Sequence, residues 1–433
     1  MSVSPSMSHH RRQILSWACY DWANSAFATV VMAGFFPVFF KQFWAADLPV
    51  TDSTFRLGLV NSIASLIIVC AAPLLGALAD QLGAKKRFLL LFTLLGVLAA
   101  GGLFWVAQGQ WQLALMLYLA GLLGFSGSNV FYDALLTDIT RADRYERVSA
   151  LGYAVGYLGG GLLFAFDVLL TLRPGWFGLA GQAEAVRVAF LSVGIWWAVF
   201  ALPLAIWVPE PPGQVRVGLG PVLRGTLREL AATMREMRRL PNSFLFLVAY
   251  WCYIDGVDTI VRMAVDFGLA IGFEAADLML ALLLVQAVGF PAALVFGRLG
   301  ERWGAKRGIL VAIGAYLLIV VGATQMREAL HFYLLAVAIG LVQGGIQALS
   351  RALFASLIPA GETAKFFGFF NMVGKFAAVL GPALVGAAAA LTGDPRLSLV
   401  PILLLFLAGA LLLLRVDVAA GRADAATFRL ERR

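Results

Sequence analysis

Gly76-Ala77-Leu78-Ala79-Asp80-Gln81-Leu82-Gly83-Ala84-Lys85-Lys86-Arg87 is a short polar break between two apolar runs. The chain carries nearly the same phrase again as Gly297-Arg298-Leu299-Gly300-Glu301-Arg302-Trp303-Gly304-Ala305-Lys306-Arg307. A second correspondence sets Gly127, Asn129, Asp133 and Gly156 against Gly345, Gln347, Arg351 and Gly374, each pair 218 residues apart. Two matches at nearly one offset point to an internal duplication of the kind found in transporters. The longest polar stretch, Pro209 to Asn242, lies between the copies.

Working outward from these loops, apolar runs such as Phe88 to Ala107, Leu115 to Phe125, Val311 to Gly322 and Leu397 to Leu414 recur along the 433 residues. Each is, or lies inside, a stretch of the roughly 20 residues that span a bilayer as a helix. Charged residues make up only 13% of the chain, against about 25% in soluble domains. Backbone polar groups cannot stay unpaired in hydrocarbon, and the runs lack the alternation of barrel strands, so the segments are expected to be helices. The sequence predicts an all-α membrane protein with twelve transmembrane helices in two pseudo-symmetric six-helix bundles. Residues 1–208 form the first bundle, 209–242 an Arg-rich and partly helical cytoplasmic linker, and 243–433 the second bundle with a short tail.

The net charge of +8 would suit a nucleic-acid binder until the basic residues are placed on loops. With the amino terminus in the cytoplasm, 25 of the 33 Lys and Arg fall on cytoplasmic segments and 6 on the opposite face. This is the positive-inside bias, and it puts both termini in the cytoplasm and excludes nucleic acid as a partner. The first ten residues lack an apolar signal segment, so the first helix is expected to anchor the chain. Cys19, Cys70 and Cys252 lie in apolar spans without metal-ligand spacing, and no nucleophile with its base or nucleotide loop is present. Neither an enzyme nor a cofactor or metal is expected.

The paired loops resemble the signature between helices two and three, and eight and nine, of the major facilitator superfamily. Three further stretches resemble the autophagy-related vacuolar amino-acid effluxers and their bacterial relatives. They are Tyr20-Asp21-Trp22-Ala23-Asn24-Ser25-Ala26-Phe27; Asp255-Gly256-Val257-Asp258-Thr259-Ile260-Val261-Arg262-Met263; and Gly340 to Arg351 together with Phe366 to Lys375. The resemblance implies two bundles around a cavity that opens alternately to either side, in a monomer embedded in the bilayer. A bacterial cytoplasmic membrane is the implied location. The fungal members export amino acids from the vacuole, so amino-acid efflux is the expected activity, with a sugar, a hydrophobic drug or a non-transporting sensor as alternatives.

Ionisable residues inside a membrane are costly and mark function or pairing. Entered near Ser243, the seventh span carries Asp255 about 18 Å deep at ~1.5 Å per residue. Asp258, Thr259, Arg262 and Asp266 follow on the same stripe. Internal neutralisation of Arg262 by Asp258 and Asp266 is the plain alternative to a functional site. On the eleventh span Lys375 shares a face with Asn371, and on the first Asp21 shares one with Asn24 and Ser25. Gln343 and Gln347 form a polar stripe on the tenth. Carboxylates at Asp21 and Asp255 with an ammonium at Lys375 would suit a zwitterionic cargo. The same acids are candidates to carry a coupling proton, since His9, His10 and His331 lie in tail or loop positions.

Gating residues follow from the loops. In folds of this type the loop acid meets the positive amino-terminal end of a helix from the other bundle, so Asp80 is expected at helix eleven and Glu301 at helix five. Arg87 and Arg307 complete the two loop motifs, and Asp133 and Arg351 are candidates for an inner-gate ion pair. The superfamily's proton-coupled members often place an Arg in helix four, where this chain has Asp133.

Overall fold

The computed structural model describes residues 5–48, 50–210, 235–270, 275–326, 328–392 and 399–430. Side chains 262–270 and 375–380, among others, lie outside that description. The described residues are helical almost throughout. α1 (Pro5–Ala26) runs on as a wide π-helix (Phe27–Phe35), four α-helical residues (Phe36–Phe39) and a second π segment (Phe40–Trp44). There follow α2 (Val50–Leu82), α3 (Lys85–Gly102), α4 (Trp111–Ile139), α5 (Tyr145–Leu172) and α6 (Gln182–Trp207). The second half holds α7 (Pro241–Ala270), α8 (Ala275–Trp303), α9 (Ala305–Thr324), α10 (Ala329–Leu357), α11 (Thr363–Thr392), α12 (Val400–Arg415) and α13 (Val418–Leu430). Among the described residues ten helices are long and apolar enough to cross a membrane, and α12 with α13, bent by 66°, makes an eleventh if the pair is one span. α11 is itself 30 residues long. Of the expected linker helix, residues 211–234 lie outside the description.

Why these stretches are helices is plain from their composition: long runs of Leu, Ala, Val and Phe whose backbone can be satisfied only within the segment. Leu91, Leu94 and Leu98 of α3, Leu318 of α9 and Leu404 and Leu411 of α12 are exposed, as lipid-facing positions would be. Gly83 and Gly304 end the two signature loops at positive φ (60° and 85°), a conformation that favours residues without a Cβ.

Packing contacts gather the chain into two compact units, Met1–Ile68 with Lys86–Tyr132 and Val155–Glu210, and Val69–Lys85 with Asp133–Ala154 and Pro211–Arg433. The first unit has an aromatic core: Phe36 stacks on Tyr118 with ring centres 3.9 Å apart, Trp17 on Tyr132 at 4.3 Å, and Trp44 on Phe190 at 5.6 Å. α5 meets α1 through small residues. A Cβ on Gly156 would lie 2.6 Å from Ser25 Oγ, on Gly159 2.6 Å from the Trp22 carbonyl, and on Gly160 2.8 Å from Thr29 Oγ1. Such glycines let helix backbones approach closely. In the second unit α7 packs on α11 and α12, and α10 on α8 and α9.

Candidate functional site

The second unit holds three of the six gating candidates, Asp80, Asp133 and Arg351, in buried contacts. The carboxylate of Asp80, at the end of α2, is buried. Its Oδ1 accepts the amide of Ala364 (3.2 Å) and its Oδ2 that of Lys365 (2.8 Å), both in the first turn of α11. These amides have no intrahelical partner, and the helix end is positive, so a carboxylate is the matching group. The approach depends on glycine: a Cβ on Gly76 would fall on the carbonyl of Ala364, and one on Gly368 would lie 2.6 Å from the carbonyl of Ala72. Lys85 Nζ reaches Asp80 Oδ1 (3.3 Å), Asp138 Oδ2 (2.9 Å) and Thr363 Oγ1 (2.7 Å), closing a buried network over the same helix end. Lys365 in turn pairs with Glu236 at 2.6 Å and with Glu362.

Arg351 of α10 is 2% exposed. Nη1 donates to Asp133 Oδ1 at 3.0 Å, Nε to Ser149 Oγ and Nη2 to the Ser149 carbonyl, both at 2.8 Å, and the plane lies 4.4 Å from the ring centre of Tyr153. Asn371 Nδ2 donates to the other oxygen of Asp133 (3.2 Å). Asn371, which the sequence groups with Lys375 on a cargo-facing stripe, is therefore tied to the Asp133–Arg351 pair.

The second signature loop is arranged differently. Glu301 and Arg307 are exposed, and among the described residues neither side chain makes a hydrogen bond. The first turn of α5, where Glu301 is expected, already carries a carboxylate of its own, the buried Glu146. A Cβ on Gly300 would lie 3.1 Å from its Cβ. A second acid there would meet like charge. Arg87 is exposed and lies 3.8 Å from Glu210, whose carboxylate accepts the amides of Lys86 (2.7 Å) and Arg87 (3.2 Å). Lys86 Nζ reaches the carbonyls of Ala205 and Val208 at the end of α6, and Lys306 Nζ those of Leu414 and Val416 at the end of α12. The two loops thus share this carbonyl-capping lysine, each the second residue of its helix.

Of the proposed cargo residues, Asp255 is 1% exposed. Both its oxygens face the Gly381 amide (2.9 and 3.0 Å) and it accepts from Thr259 Oγ1 (3.4 Å), which ties α7 to α11. Asp258, Gln343 and Gln347 are half-buried. The side chains of Arg262 and Lys375 lie outside the described residues. In the first unit Asp21 accepts from Tyr132 Oη and Ser25 Oγ, both at 3.2 Å, and Asn24 Nδ2 donates to Asn129 Oδ1 at 2.6 Å. The aromatic residues near these positions stack on one another, as Tyr250 does on Phe370 at 4.2 Å.

Sequence reasoning passes over Asp138, Ser149, Thr363 and Glu236, which carry no motif, and also Asp167. The last is a lone acid in the apolar run Leu162-Leu163-Phe164-Ala165-Phe166-Asp167-Val168-Leu169-Leu170, and that isolation is a signal available in the sequence. Among the described residues no cluster of three or more His, Cys, Asp or Glu is placed to hold a metal.

With this geometry established, comparison with known proteins assigns the chain. The profile of the family described as "Vacuole effluxer Atg22 like" matches residues 46–426. The chain belongs to the Atg22-like family. It is 36% identical to the uncharacterized MFS-type transporter YxiO of Bacillus subtilis, the match covering 94% of this chain and 95% of that protein. Autophagy-related protein 22 of Yarrowia lipolytica is 29% identical over 66% of this chain, and the match spans 52% of the fungal protein. Among solved structures, the proton:xylose symporter XylE superposes with a TM-score of 0.72 at 14% identity, covering 94% of this chain and 95% of that one. The human organic anion transporter MFSD10 gives 0.67 at 18%, covering 93% and 99%. These likenesses show the major facilitator fold. This Atg22-like chain is a multi-pass membrane transporter of that superfamily, whose members bind small-molecule substrates.

Proposed function

We propose that the protein exports amino acids across a bacterial cytoplasmic membrane by proton-driven alternating access, as a monomer with both termini in the cytoplasm. In this reading residues 1–208 and 243–433 are the rocking bundles, and 209–242 is the connection between them. The observation that carries it is the seat of the Asp80 carboxylate on the first amides of α11, clamped by Lys85. Here a loop acid from the first sequence half holds a helix end of the second through contacts that can break without unfolding either helix. Such separable contacts are what a two-state transporter needs. The Asp133–Arg351–Asn371 cluster adds a second, deeper closure on the same side.

The amino-acid cargo is supported by membership in the Atg22-like family and by the chemistry of the intramembrane residues. Asp21 and Asp255 bring carboxylates, the groups an ammonium pairs with, into apolar spans. Release of a panel of labelled amino acids from proteoliposomes holding the purified protein, with and without an imposed pH gradient, tests the reading. Saturable release that the gradient accelerates is expected; no release of any amino acid overturns it.

A further inference from the structure

Asp167 is a titratable group inside the first unit that the gate does not use. It lies 22 residues along α5 from Tyr145, about 33 Å at ~1.5 Å per residue, close to the helix end remote from the signature loops. Its exposure is 0%. Ser192 of α6 supplies its contact, with Oγ 3.0 and 3.2 Å from the two carboxyl oxygens. The charged residues of the elements beside α5 are Arg11, Arg12, Asp21 and Lys41 on α1 and its π-helical continuation, Arg173 in the α5–α6 turn, and Glu184 and Arg187 on α6. Among the described residues none of them pairs with Asp167, and the Nε of Arg187 is buried without a hydrogen-bond partner.

Counting hydrogens sharpens the picture. A serine hydroxyl owns one hydrogen. Ser192 Oγ is 2.7 Å from the Ala189 carbonyl, which can only accept, and is nearer to it than to either oxygen of Asp167. If the hydroxyl hydrogen goes to Ala189, the hydrogen between Ser192 and Asp167 has to belong to Asp167. If instead it goes to Asp167, a carboxylate is buried in the membrane with a single neutral donor and no cation, which is costly. The neutral acid satisfies all three groups in one line: Asp167 donates to Ser192, and Ser192 donates to Ala189.

We infer that Asp167 holds a proton in this conformation and is a coupling-proton site of the transporter, exchanging with the face opposite the signature loops. The inference deepens the proton-driven part of the reading above, and its first test needs no cargo. In infrared difference spectra of the lipid-embedded protein, wild type minus Asp167→Asn, the stretch of a protonated carboxyl is expected. Its absence overturns the inference. Asn has the shape of the neutral acid and can still donate to Ser192, so the variant is expected to insert and fold. In proteoliposomes, release by Asp167→Asn under a pH gradient is expected to fall to the rate seen without one, whereas unchanged acceleration by the gradient overturns the coupling role. Should no amino acid move in wild type while the carboxyl band is present, the protonated site stands and only the cargo assignment falls.

Discussion

Asp80 holds the amide of Lys365 at 2.8 Å, one carboxylate oxygen on the first turn of α11 while the other takes the neighbouring amide of Ala364. The pair joins residues 285 positions apart in a buried site. A charge at a helix end in such a partly buried geometry is worth up to about 2 kcal/mol.

Asp80→Asn keeps the size and loses the charge. It is expected to weaken the closed arrangement by about 1–2 kcal/mol, a change of roughly five- to thirtyfold in its population. Accessibility of a cysteine introduced at Ala72 to a water-soluble thiol reagent measures this, in a background freed of the native cysteines. Unchanged labelling would remove Asp80 from the gate. Glu301→Gln, at the matching place of the second loop, is expected to stay within about 0.5 kcal/mol of wild type, as exposed substitutions do.

Arg351 and Asp133 form a buried ion pair whose partners cannot be removed singly without leaving a charge stranded. Arg351→Ala and Asp133→Ala are each expected to cost about 3–5 kcal/mol, and the double variant markedly less than their sum. Thermal unfolding in detergent checks the cycle. Strict additivity would mean that the two do not act as a pair.

Gly76 and Gly368 are places where α2 and α11 nearly touch. Alanine at either is expected to destabilise the contact by about 1–3 kcal/mol, because the added methyl meets backbone that cannot move aside. Gly314, which has open space around it, is the control: Gly314→Ala should leave stability and transport as they are. Both are read from unfolding midpoints and from transport rates in the same proteoliposomes.

Asp255→Asn removes a buried charge facing the Gly381 amide. Transport is expected to be lost while membrane insertion is preserved or eased, since the uncharged side chain is cheaper to place in hydrocarbon. Wild-type turnover by a correctly inserted variant would show that Asp255 has no part in moving the cargo.

The loops and the apolar runs carry a great deal on their face. Asp80 and Glu301 stand at equivalent places in one repeated phrase, and nothing local distinguishes them. Their surroundings differ: the first turn of α5 carries an acid, Glu146, whose charge Glu301 feels, whereas the first turn of α11 has none. Asn371 shares a helical face with Lys375, yet its amide bonds to Asp133, 238 positions away. Asp167 is visible as a lone acid in an apolar run, but its hydrogen-bond chain through Ser192 to Ala189 is not.

The division has a physical cause. Span length, helical state and the repeat follow from local facts, because in a membrane each segment must satisfy its own backbone and bury no unpaired charge, and both conditions can be read residue by residue. Those conditions are enough for the sequence by itself to determine an all-helical, duplicated membrane protein. Which acid holds which helix end, and which carboxyl stays neutral, depends on donors brought within about 3 Å from distant parts of the chain, where burial multiplies the cost of a missing partner. Only the tertiary structure decided those pairings.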